Sequence, residues 1–454
     1  DALSCRMGDR YLKTPALDRL AARGTFFSRA YTPNPLCMPA RNSIFTGRYP
    51  HETGITDNTK TTLDASAFVT MGTHFRQAGY QTAYFGKWHL AYDEAATKTH
   101  GFESLETGHI DAENAALATK FLARKHDQPF LLVVSFLNPH NVCELARDQQ
   151  LNNGPIGKPP SVEKLPPAPA NLAPPRNEPD TMAQIRAGYH ANPQFPVGNF
   201  NPQMWQALRW GYYRLIEKVD AEIGKVLAAL KAAGLEENTL IVFTADHGEC
   251  AGAHGFNQKT VFNEESARVP FIVSAPGQRA GRVSEKFTNT GIDILSTMLD
   301  FASLPRPAKL PGVSLRPIAL GQPVASWRDH VVVQNNMSQT FPVAGNVPTT
   351  EGRMIRADRY KYCVYVHGQY RESLVDLEKD PGEMNNLARD PAHRDTLLAM
   401  RERLRKWGVE TRDPLVAAML ADDVKPREFA IVKTPKNAAR AEGLGKQKKA
   451  KDHE

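Results

Sequence analysis

Three polar clusters in this sequence carry side chains that could take part in catalysis. They are Lys87 with His89, the single His140, and the adjacent pair Asp246 and His247. An unperturbed imidazole titrates near neutrality, so these histidines could move protons at physiological pH. Asp246 offers a hard oxygen donor and His247 a borderline nitrogen donor, both of which occur in metal sites. The residue types indicate an enzyme site assembled from separate parts of the chain.

Each cluster follows a stretch that is typical of a buried strand. The three stretches are Tyr80–Phe85, the continuously apolar Pro129–Leu137, and Thr239–Ala245. Strands that are covered on both faces appear as such apolar runs. Open α/β sheets bind their ligands beyond the carboxyl ends of the strands. We therefore expect the three clusters to meet at one edge of a sheet.

Helices alternate with these strands along the chain. Helical patterns cover Thr14–Gly24, Phe68–Ala78 and Met204–Ala233, and further strands are expected at Thr25–Tyr31 and Pro270–Ala275. This alternation predicts an α/β fold with a large, mainly parallel sheet sandwiched by helices.

Two regions depart from this pattern. Residues 150–205 hold 12 of the 33 prolines, which indicates an insertion that is either an active-site wall or a floppy excursion. After Ser326, alternation in Tyr360–His367 and Arg371–Leu377 predicts a smaller C-terminal antiparallel sheet, followed by a helix over Asp390–Trp407.

These changes of pattern define three predicted units. They are a catalytic domain at 1–325, a small subdomain at 326–424 and a basic, mobile tail at 425–454.

The composition excludes several classes of protein. The chain has 454 residues, 41% hydrophobic and 23% charged, and no apolar run approaches the roughly 18 residues of a membrane span. The net charge is +7, but residues 424–454 contribute nine Lys/Arg and four Asp/Glu, which is +5 of the total. We therefore expect no nucleic-acid partner. The five cysteines are far apart and form no C-x-x-C, which argues against a disulfide framework or a zinc ribbon.

The segment Cys37–Arg41 (CMPAR), followed by Thr46–Arg48 (TGR), resembles the signature of the formylglycine-dependent sulfatases. The resemblance implies that a maturing enzyme oxidises Cys37 to formylglycine, an aldehyde. Its hydrate carries two hydroxyls on one carbon, of which one attacks sulfur and the other later expels sulfate.

Four further segments are similar to the same family in the same order. They are Gly86–His89 (GKWH), Asp246–Gly248 (DHG), Lys259 with Glu264–Pro270 (EESARVP), and Leu374–Glu383 (LVDLEKDPGE). The resemblance covers residues 14 to about 412. It implies a sulfuric ester hydrolase with the alkaline-phosphatase-like form of the predicted α/β fold.

The resemblance also implies a role for each candidate residue. Sulfate transfer builds up negative charge, which a divalent cation with Arg41, Lys87 and Lys259 could offset in a dry cleft. His89 would assist the formylglycine hydroxyl during sulfate elimination. His140 and Lys259 would contact the sulfate and the leaving-group oxygen.

Asp246 and His247 are the metal ligands that the resemblance implies. Carboxylate-rich sites favour Ca²⁺ or Mg²⁺, whereas imidazole favours Zn²⁺ or Mn²⁺. The Asp-His variant in sulfatases usually goes with calcium, so we expect Ca²⁺, with Mg²⁺ or Mn²⁺ as alternatives. His254 and Asn58 lie close enough to the motifs to line the same pocket.

Sulfatases begin with a buried strand that ends in Asp-Asp or Asp-Gln and supplies two more metal ligands. That strand precedes the position that Asp1 matches. We expect it to lie upstream of the sequence given.

Two other functions stay open at this stage. Phosphonate monoester and phosphodiester hydrolases share C-x-P-x-R and Asp-His, although the histidine of GKWH favours sulfate. A catalytically inactive homologue could bind sulfated glycans in the same cleft. The neutral body and the proline-rich insertion favour a sulfated carbohydrate as the substrate. The family resemblance suggests export to a periplasmic, extracellular or lysosomal compartment.

Overall fold

The computed structural model describes residues 2–59, 62–278, 280–421 and 424–431. Its α-helices are α1 Ser4–Met7, α2 Pro15–Arg23, α3 Cys37–Thr46, α4 Pro50–Thr53, α5 Met71–Gln77, α6 Thr97–His100, α7 Asp111–Leu122, α8 Val142–Ala146, α9 Asp180–His190, α10 Pro202–Ala232, α11 Glu264–Ala267, α12 Thr290–Phe301, α13 Arg316–Ala319, α14 Arg394–Thr411 and α15 Pro414–Met419. Its strands are β1 Thr25–Phe27, β2 Ala30–Tyr31, β3 Gln81–Gly86, β4 Ser104–Thr107, β5 Phe130–Ser135, β6 Ile241–Thr244, β7 Phe271–Ser274, β8 Arg282–Ser284, β9 Thr288–Asn289, β10 His330–Met337, β11 Asn346–Val347, β12 Thr350–Ala357, β13 Tyr360–Tyr365, β14 Glu372–Asp376 and β15 Ala430–Ile431.

Two sheets carry the strands that precede the polar clusters. Strands β4, β3 and β5 form a parallel sheet in that order, and β3 pairs with β5 from Gln81–Phe130 to Gly86–Ser135. Strands β6, β7, β1 and β8 form a mixed sheet, in which β7 is antiparallel to both of its neighbours. The apolar runs therefore become strands as predicted.

Strands β5 and β6 are edge strands of these two sheets, and within the described part of the chain neither has a second neighbour. A cavity of about 1460 Å³ is lined by both strands and by the residues that follow them, Asn138 and Asp246 among them. The strands that precede the polar clusters thus lie in two described sheets, since β5 and β6 do not pair with each other, whereas the sequence predicted one large sheet.

Helices cover the apolar faces of these sheets. Phe85 of β3 packs with Phe121 and Leu122 of α7 and with Leu230 of α10, while Ile272 of β7 packs with α2. The long helix α10 begins at Pro202 and is capped by Asn201, whose side chain accepts from the backbone N–H of Met204. This capping and the apolar stripe explain why α10 could be predicted from the sequence.

The predicted C-terminal antiparallel sheet is present, with the order β10-β12-β13-β14. Helix α14 packs on it through Leu397, Leu404 and Trp407. The division of the chain into units at 325 and 424 stays a prediction.

The proline-rich insertion is attached to the rest of the predicted catalytic domain by side-chain hydrogen bonds. It contains α9, and Arg186 of this helix pairs with Glu178 and donates from Nε to the carbonyl of His254. Of the predicted tail, residues 425–431 are described and include β15, which pairs with β11. Residues 432–454 lie outside the described residues.

Among the described residues, no helix is both long enough and apolar enough to cross a membrane.

Candidate active site

Cys37 is the first residue of α3, and its side chain is 2% exposed. Its Sγ lies 3.2 Å from Nε2 of His247 and 3.6 Å from Nζ of Lys87. Burial raises the pKa of this thiol, but nearby Lys259, Lys87 and His247 outweigh burial and hold the pKa well below its usual range. The side chain that the motif singled out therefore occupies a strongly positive environment.

Asn58 fixes the start of α3. Its Oδ1 accepts from the backbone N–H of Met38 at 3.1 Å, which satisfies one of the unpaired donors at the helix N-terminus. Asn58 thus positions Cys37 from the neighbouring turn, close to where the sequence had placed it.

Arg41 lies one helical turn after Cys37, so it is on the same face of α3. Its Nε donates to Oδ2 of Asp246 at 3.0 Å, and its Nη1 donates to Oγ of Ser135 at 2.9 Å and to the carbonyl of Lys87 at 3.1 Å. Arg41 therefore links α3 to the ends of β3, β5 and β6.

Lys87 and Lys259 supply two more buried positive charges, with exposures of 8% and 4%. Burial lowers the pKa of Lys259, but Cys37, Cys143 and Glu249 together raise it above its usual value. Lys259 therefore stays charged inside the protein. A substrate anion at this position would be stabilised by charges that are already in place.

Asp246 and His247 follow β6 and face Cys37. Oδ1 of Asp246 accepts from the backbone N–H of His247 at 3.1 Å, and Nδ1 of His247 lies 2.8 Å from the carbonyl of Gly248. Burial raises the pKa of Asp246, but His247, Arg41 and the two lysines lower it far more. Burial lowers the pKa of His247, whereas Asp246 and Cys37 raise it.

Ligand atoms of Cys37, Asp246 and His247 all lie within 4.8 Å of one another. One oxygen, one nitrogen and one sulfur donor, with the imidazole oriented by a backbone carbonyl, fit a divalent cation. Among the described residues this set has too few oxygens to select calcium by itself, since Ca²⁺ takes six to eight oxygen ligands.

His140 follows a cis peptide bond between Asn138 and Pro139 and is half-buried. Burial, reinforced by Lys259 and Lys87, lowers the pKa of His140 to about 3. The imidazole is therefore uncharged at neutral pH, and it can donate or accept a hydrogen bond without carrying charge.

His89 lies two residues beyond Lys87 in a left-handed backbone conformation, with φ of 49°. Its Nδ1 is buried and has no hydrogen-bond partner among the described residues. The structure thus brings Cys37, Arg41, Lys87, Asp246 and His247 into direct contact, with Lys259 and His140 close enough for their charges to interact. Among the described residues, no hydrogen bond or ion pair joins His89 to this group.

His254 has a different position from the one expected. It is 1% exposed, and its Nε2 lies 3.2 Å from Nδ2 of Asn171 and 3.9 Å from a carboxylate oxygen of Glu265. These contacts place His254 in a second cluster, formed with Glu265 and Glu383, which the insertion contacts through Asn171. His254 is close in sequence to the Asp246–Gly248 motif, but this proximity did not predict that it would line the pocket around Cys37.

Ser135 is a site residue that sequence reasoning missed. Its hydroxyl accepts from Arg41 and donates to the carbonyl of Lys87 at 2.8 Å. The available signal was its place in PFLLVVSFL, where Ser135 is the single polar side chain of an apolar strand.

The α/β fold and a buried cationic cluster around a cysteine indicate an enzyme that acts on an anionic group. Residues 7–304 match the family described as Sulfatase, and residues 252–410 match the one described as N-sulphoglucosamine sulphohydrolase, C-terminal. The chain belongs to the sulfatase family and is a sulfuric ester hydrolase.

Two relatives with sulfatase or sulphohydrolase names match most of the chain. The Delta 4,5-hexuronate-2-O-sulfatase of Bacteroides thetaiotaomicron is 29% identical over 418 residues, which span 88% of this chain and 84% of that protein. The human N-sulphoglucosamine sulphohydrolase is 28% identical over 466 residues, which span 90% and 87%.

Solved structures share the fold. A 2-O GAG sulfatase superposes with a TM-score of 0.78 at 27% identity over 94% of this chain and 93% of that chain. The phosphonate monoester hydrolase of Agrobacterium radiobacter has a TM-score of 0.71 at 24% identity, covering 90% and 93%. The predicted alkaline-phosphatase-like architecture is confirmed.

Proposed function

We propose that this sulfatase hydrolyses its ester with formylglycine made from Cys37. The observation that supports this most is the position of the Cys37 thiol, which begins α3 and contacts both His247 and Lys87 in a buried site. Once formed and hydrated, formylglycine would supply one hydroxyl to attack sulfur and a second to expel sulfate. Conversion requires a maturing enzyme, which is therefore a proposed partner.

The surrounding side chains have distinct proposed roles. Arg41 is held by Asp246 and Ser135, so its guanidinium is oriented before substrate arrives. Lys87 and Lys259 offset the negative charge that grows on the sulfate group. His140, uncharged at neutral pH, hydrogen-bonds the leaving-group oxygen together with Lys259.

His89 is proposed to move a proton during release of sulfate. Its buried Nδ1 lacks a partner among the described residues, and its left-handed backbone holds the ring just beyond Lys87. An imidazole in this position can exchange a proton with a hydroxyl at the position of Cys37 if the ring and the hydroxyl come within hydrogen-bond reach.

We propose Ca²⁺ as the cation of the converted enzyme, bound in part by Asp246 and His247, with Mg²⁺ or Mn²⁺ as alternatives. The cation would draw negative charge from the sulfate oxygens. Metal analysis of active protein tests this proposal. Calcium should be present at one equivalent and should be lost in Asp246→Asn but not in Asp64→Asn, which changes an exposed carboxylate.

The nucleophile is tested by mass spectrometry of protein made with and without the maturing enzyme. The peptide that contains Cys37 should carry an aldehyde only in the first sample, and only that sample should cleave an aryl sulfate. Cys37→Ala should abolish turnover, whereas Cys143→Ala, at another buried cysteine, should retain it. Full activity with an unmodified thiol would contradict the proposal.

We further propose that the substrate is a sulfated carbohydrate. The names of the two relatives above describe a hexuronate 2-O-sulfate and an N-sulfated glucosamine, which supports sugars as the class. A panel of sulfated mono- and oligosaccharides beside aryl sulfates tests this proposal. Shortening the loop parts of the insertion at residues 150–205 should reduce activity on an oligosaccharide far more than on an aryl sulfate. Equal losses would assign the insertion a peripheral role.

Phosphonate monoester hydrolysis is a second candidate, which the shared fold of solved phosphonate hydrolases supports. Phenyl phosphonate and phosphodiesters in the same panel separate the two activities. A kcat/KM that is higher for a phosphonate than for every sulfate would favour this alternative. Binding of sulfated glycans without turnover by converted protein would favour the inactive homologue.

Export to a periplasmic, extracellular or lysosomal compartment is also proposed, and the family resemblance alone supports it. Fractionation of cells that express the full gene tests it.

A further inference from the structure

We propose that the unconverted protein, in which Cys37 is still a thiol, binds a thiophilic dication such as Zn²⁺ through Cys37, His247 and Asp246. The three ligand atoms lie within 4.8 Å of one another. This proposal concerns the state before formylglycine forms, and it differs from the calcium site of the converted enzyme in both the ion and the donor set.

The distances fit zinc. With Zn–S near 2.3 Å and Zn–N or Zn–O near 2.0–2.2 Å, neighbouring ligands of a tetrahedral site lie roughly 3.3–3.6 Å apart. Here Sγ of Cys37 is 3.2 Å from Nε2 of His247, and Nε2 is 3.7 Å from Oδ1 of Asp246. The third separation, between Sγ of Cys37 and the carboxylate of Asp246, is no more than 4.8 Å, so small side-chain rotations would bring all three donors onto one ion, with a water as the fourth ligand.

The imidazole already has the orientation of a ligand. Nδ1 of His247 lies 2.8 Å from the carbonyl of Gly248, an arrangement in which Nδ1–H donates and the lone pair of Nε2 faces Cys37. Ligating histidines generally donate their other N–H to a carbonyl or carboxylate in this way. Asp246 is similarly fixed, because its Oδ2 accepts from Arg41 while Oδ1 faces His247.

Binding is a ligand exchange. The Cys37 sulfur donates an electron pair to form an S–Zn bond, and a water molecule leaves the hydrated ion; where the sulfur still carries a proton, that proton leaves to solvent. Lys87 opposes the ion, since its Nζ lies 3.6 Å from the same sulfur. Removing the positive charge of Lys87 should therefore strengthen Zn²⁺ binding. If Lys87 had only a structural role, its removal would not have this effect.

Conversion of Cys37, which rests on the proposed function, would change the preference of the site. The sulfur donor is replaced by oxygen, and oxygen donors suit Ca²⁺ and Mg²⁺ whereas thiolates suit Zn²⁺. We therefore expect the unconverted chain to prefer Zn²⁺ over Ca²⁺ and the converted chain to lose that preference.

Cobalt titration of unconverted protein, made without the maturing enzyme, tests the proposal. One equivalent of Co²⁺ should give a thiolate-to-cobalt charge-transfer absorption that Zn²⁺ abolishes. Cys37→Ser should remove the absorption and weaken Zn²⁺ binding by more than the roughly 10- to 100-fold that loss of a supporting group costs. Cys143→Ser is the matched control and should keep both properties.

Two more variants keep the proposal testable if Cys37→Ser does not fold. Lys87→Met should tighten Zn²⁺ binding, and His247→Ala should weaken it while the melting temperature in chelator stays near that of the parent. An absorption that survives in Cys37→Ser, or no cobalt signal in folded parent protein, would overturn the proposal. Either result leaves the sulfatase assay of converted protein unaffected, so the two proposals fail separately.

Discussion

Buried charges of one sign dominate the site at the scale of single residues. Arg41, Lys87 and Lys259 surround Cys37, and Asp246 is the acidic group in direct contact with Arg41. Burying positive charges together is costly unless an anion joins them. The arrangement therefore favours an anionic group at the position of Cys37, which is where the proposed function places the sulfate ester.

Replacing His89 by Ala should affect the reaction rather than the fold. A group that moves a proton in the rate-limiting step contributes roughly 10²- to 10⁴-fold to turnover, so kcat should fall by that amount. The melting temperature should change little, because His89 is half-buried and its Nδ1 makes no hydrogen bond within the described residues. A matched loss of stability would instead assign His89 a structural role.

His254 should make stability depend on pH. Burial, with Lys361 and Arg186, lowers its pKa to about 4, although Glu383 opposes the shift. Between that value and the unfolded value of about 6.5, the unfolded chain binds more protons, so stability present above pH 6.5 is lost as the pH falls. From pH 7 to pH 5 the contribution is about 2 kcal/mol.

Urea unfolding at both pH values measures this effect. His254→Gln should lose less stability than the parent between pH 7 and pH 5, while His109→Gln, at an exposed histidine, should behave like the parent. Identical pH slopes for the parent and His254→Gln would contradict the prediction.

At the scale of elements, the end of β3 is positioned by close backbone contact. Gly86 has φ of 113°, and a Cβ at this residue would lie 2.1 Å from the carbonyl oxygen of Ser135 on β5. That carbonyl accepts from the backbone N–H of Lys87 at 2.9 Å. The glycine therefore allows β5 to hold Lys87 in the site.

Gly86→Ala should lower both stability and kcat, because the methyl group must push β5 away and Lys87 with it. Gly79→Ala is the matched control: its φ of 83° is also positive, but nothing lies within 4 Å of the added Cβ. The control should cost only the roughly 1–2 kcal/mol of left-handed strain and should keep kcat. Urea unfolding and aryl-sulfate kinetics of the two variants provide the comparison.

The elements also show how far the sequence could predict this structure. The apolar runs predicted β3, β5 and β6. The motifs at their ends named Lys87, Asp246 and His247, which lie together beside Cys37, and also His89, which has no hydrogen bond to that group among the described residues. The contact between Arg41 and Asp246 joins residues 205 positions apart, so no local pattern could give its geometry. Helix α9 was missed because its stability comes from tertiary contacts, such as Arg186 with the carbonyl of His254, within a proline-rich segment.

At the scale of the whole molecule, a buried ion cluster joins the C-terminal sheet to the catalytic part. Lys361 of β13 is 2% exposed, contacts Glu383, and donates to the carbonyl of Phe262 at 2.9 Å. Glu383 also accepts from the backbone N–H of Glu264 at 2.7 Å. The cluster therefore fixes α11, which follows the loop of Lys259, against the small sheet.

Lys361→Met should be among the more destabilising single changes, because it leaves Glu383 buried without its cation. Removing one partner of a buried pair costs about 3–5 kcal/mol, whereas replacing both costs much less. Lys361→Met combined with Glu383→Gln should therefore be more stable than the sum of the two single effects predicts. Lys379→Met, at an exposed lysine near the same sheet, should be neutral.

The pH dependence of the stability lost in Lys361→Met separates the effect of the missing charge from the effect of altered packing. Burial raises the pKa of Glu383 even beside Lys361, and removal of Lys361 raises it further. A raised folded pKa gives stability that is present at low pH and lost as the pH rises, so Lys361→Met should cost more at pH 8 than at pH 5. Urea unfolding of the two single variants and the double variant at both pH values measures this difference. An equal cost at both values would mean that Lys361 stabilises this junction through its apolar stem rather than through its charge.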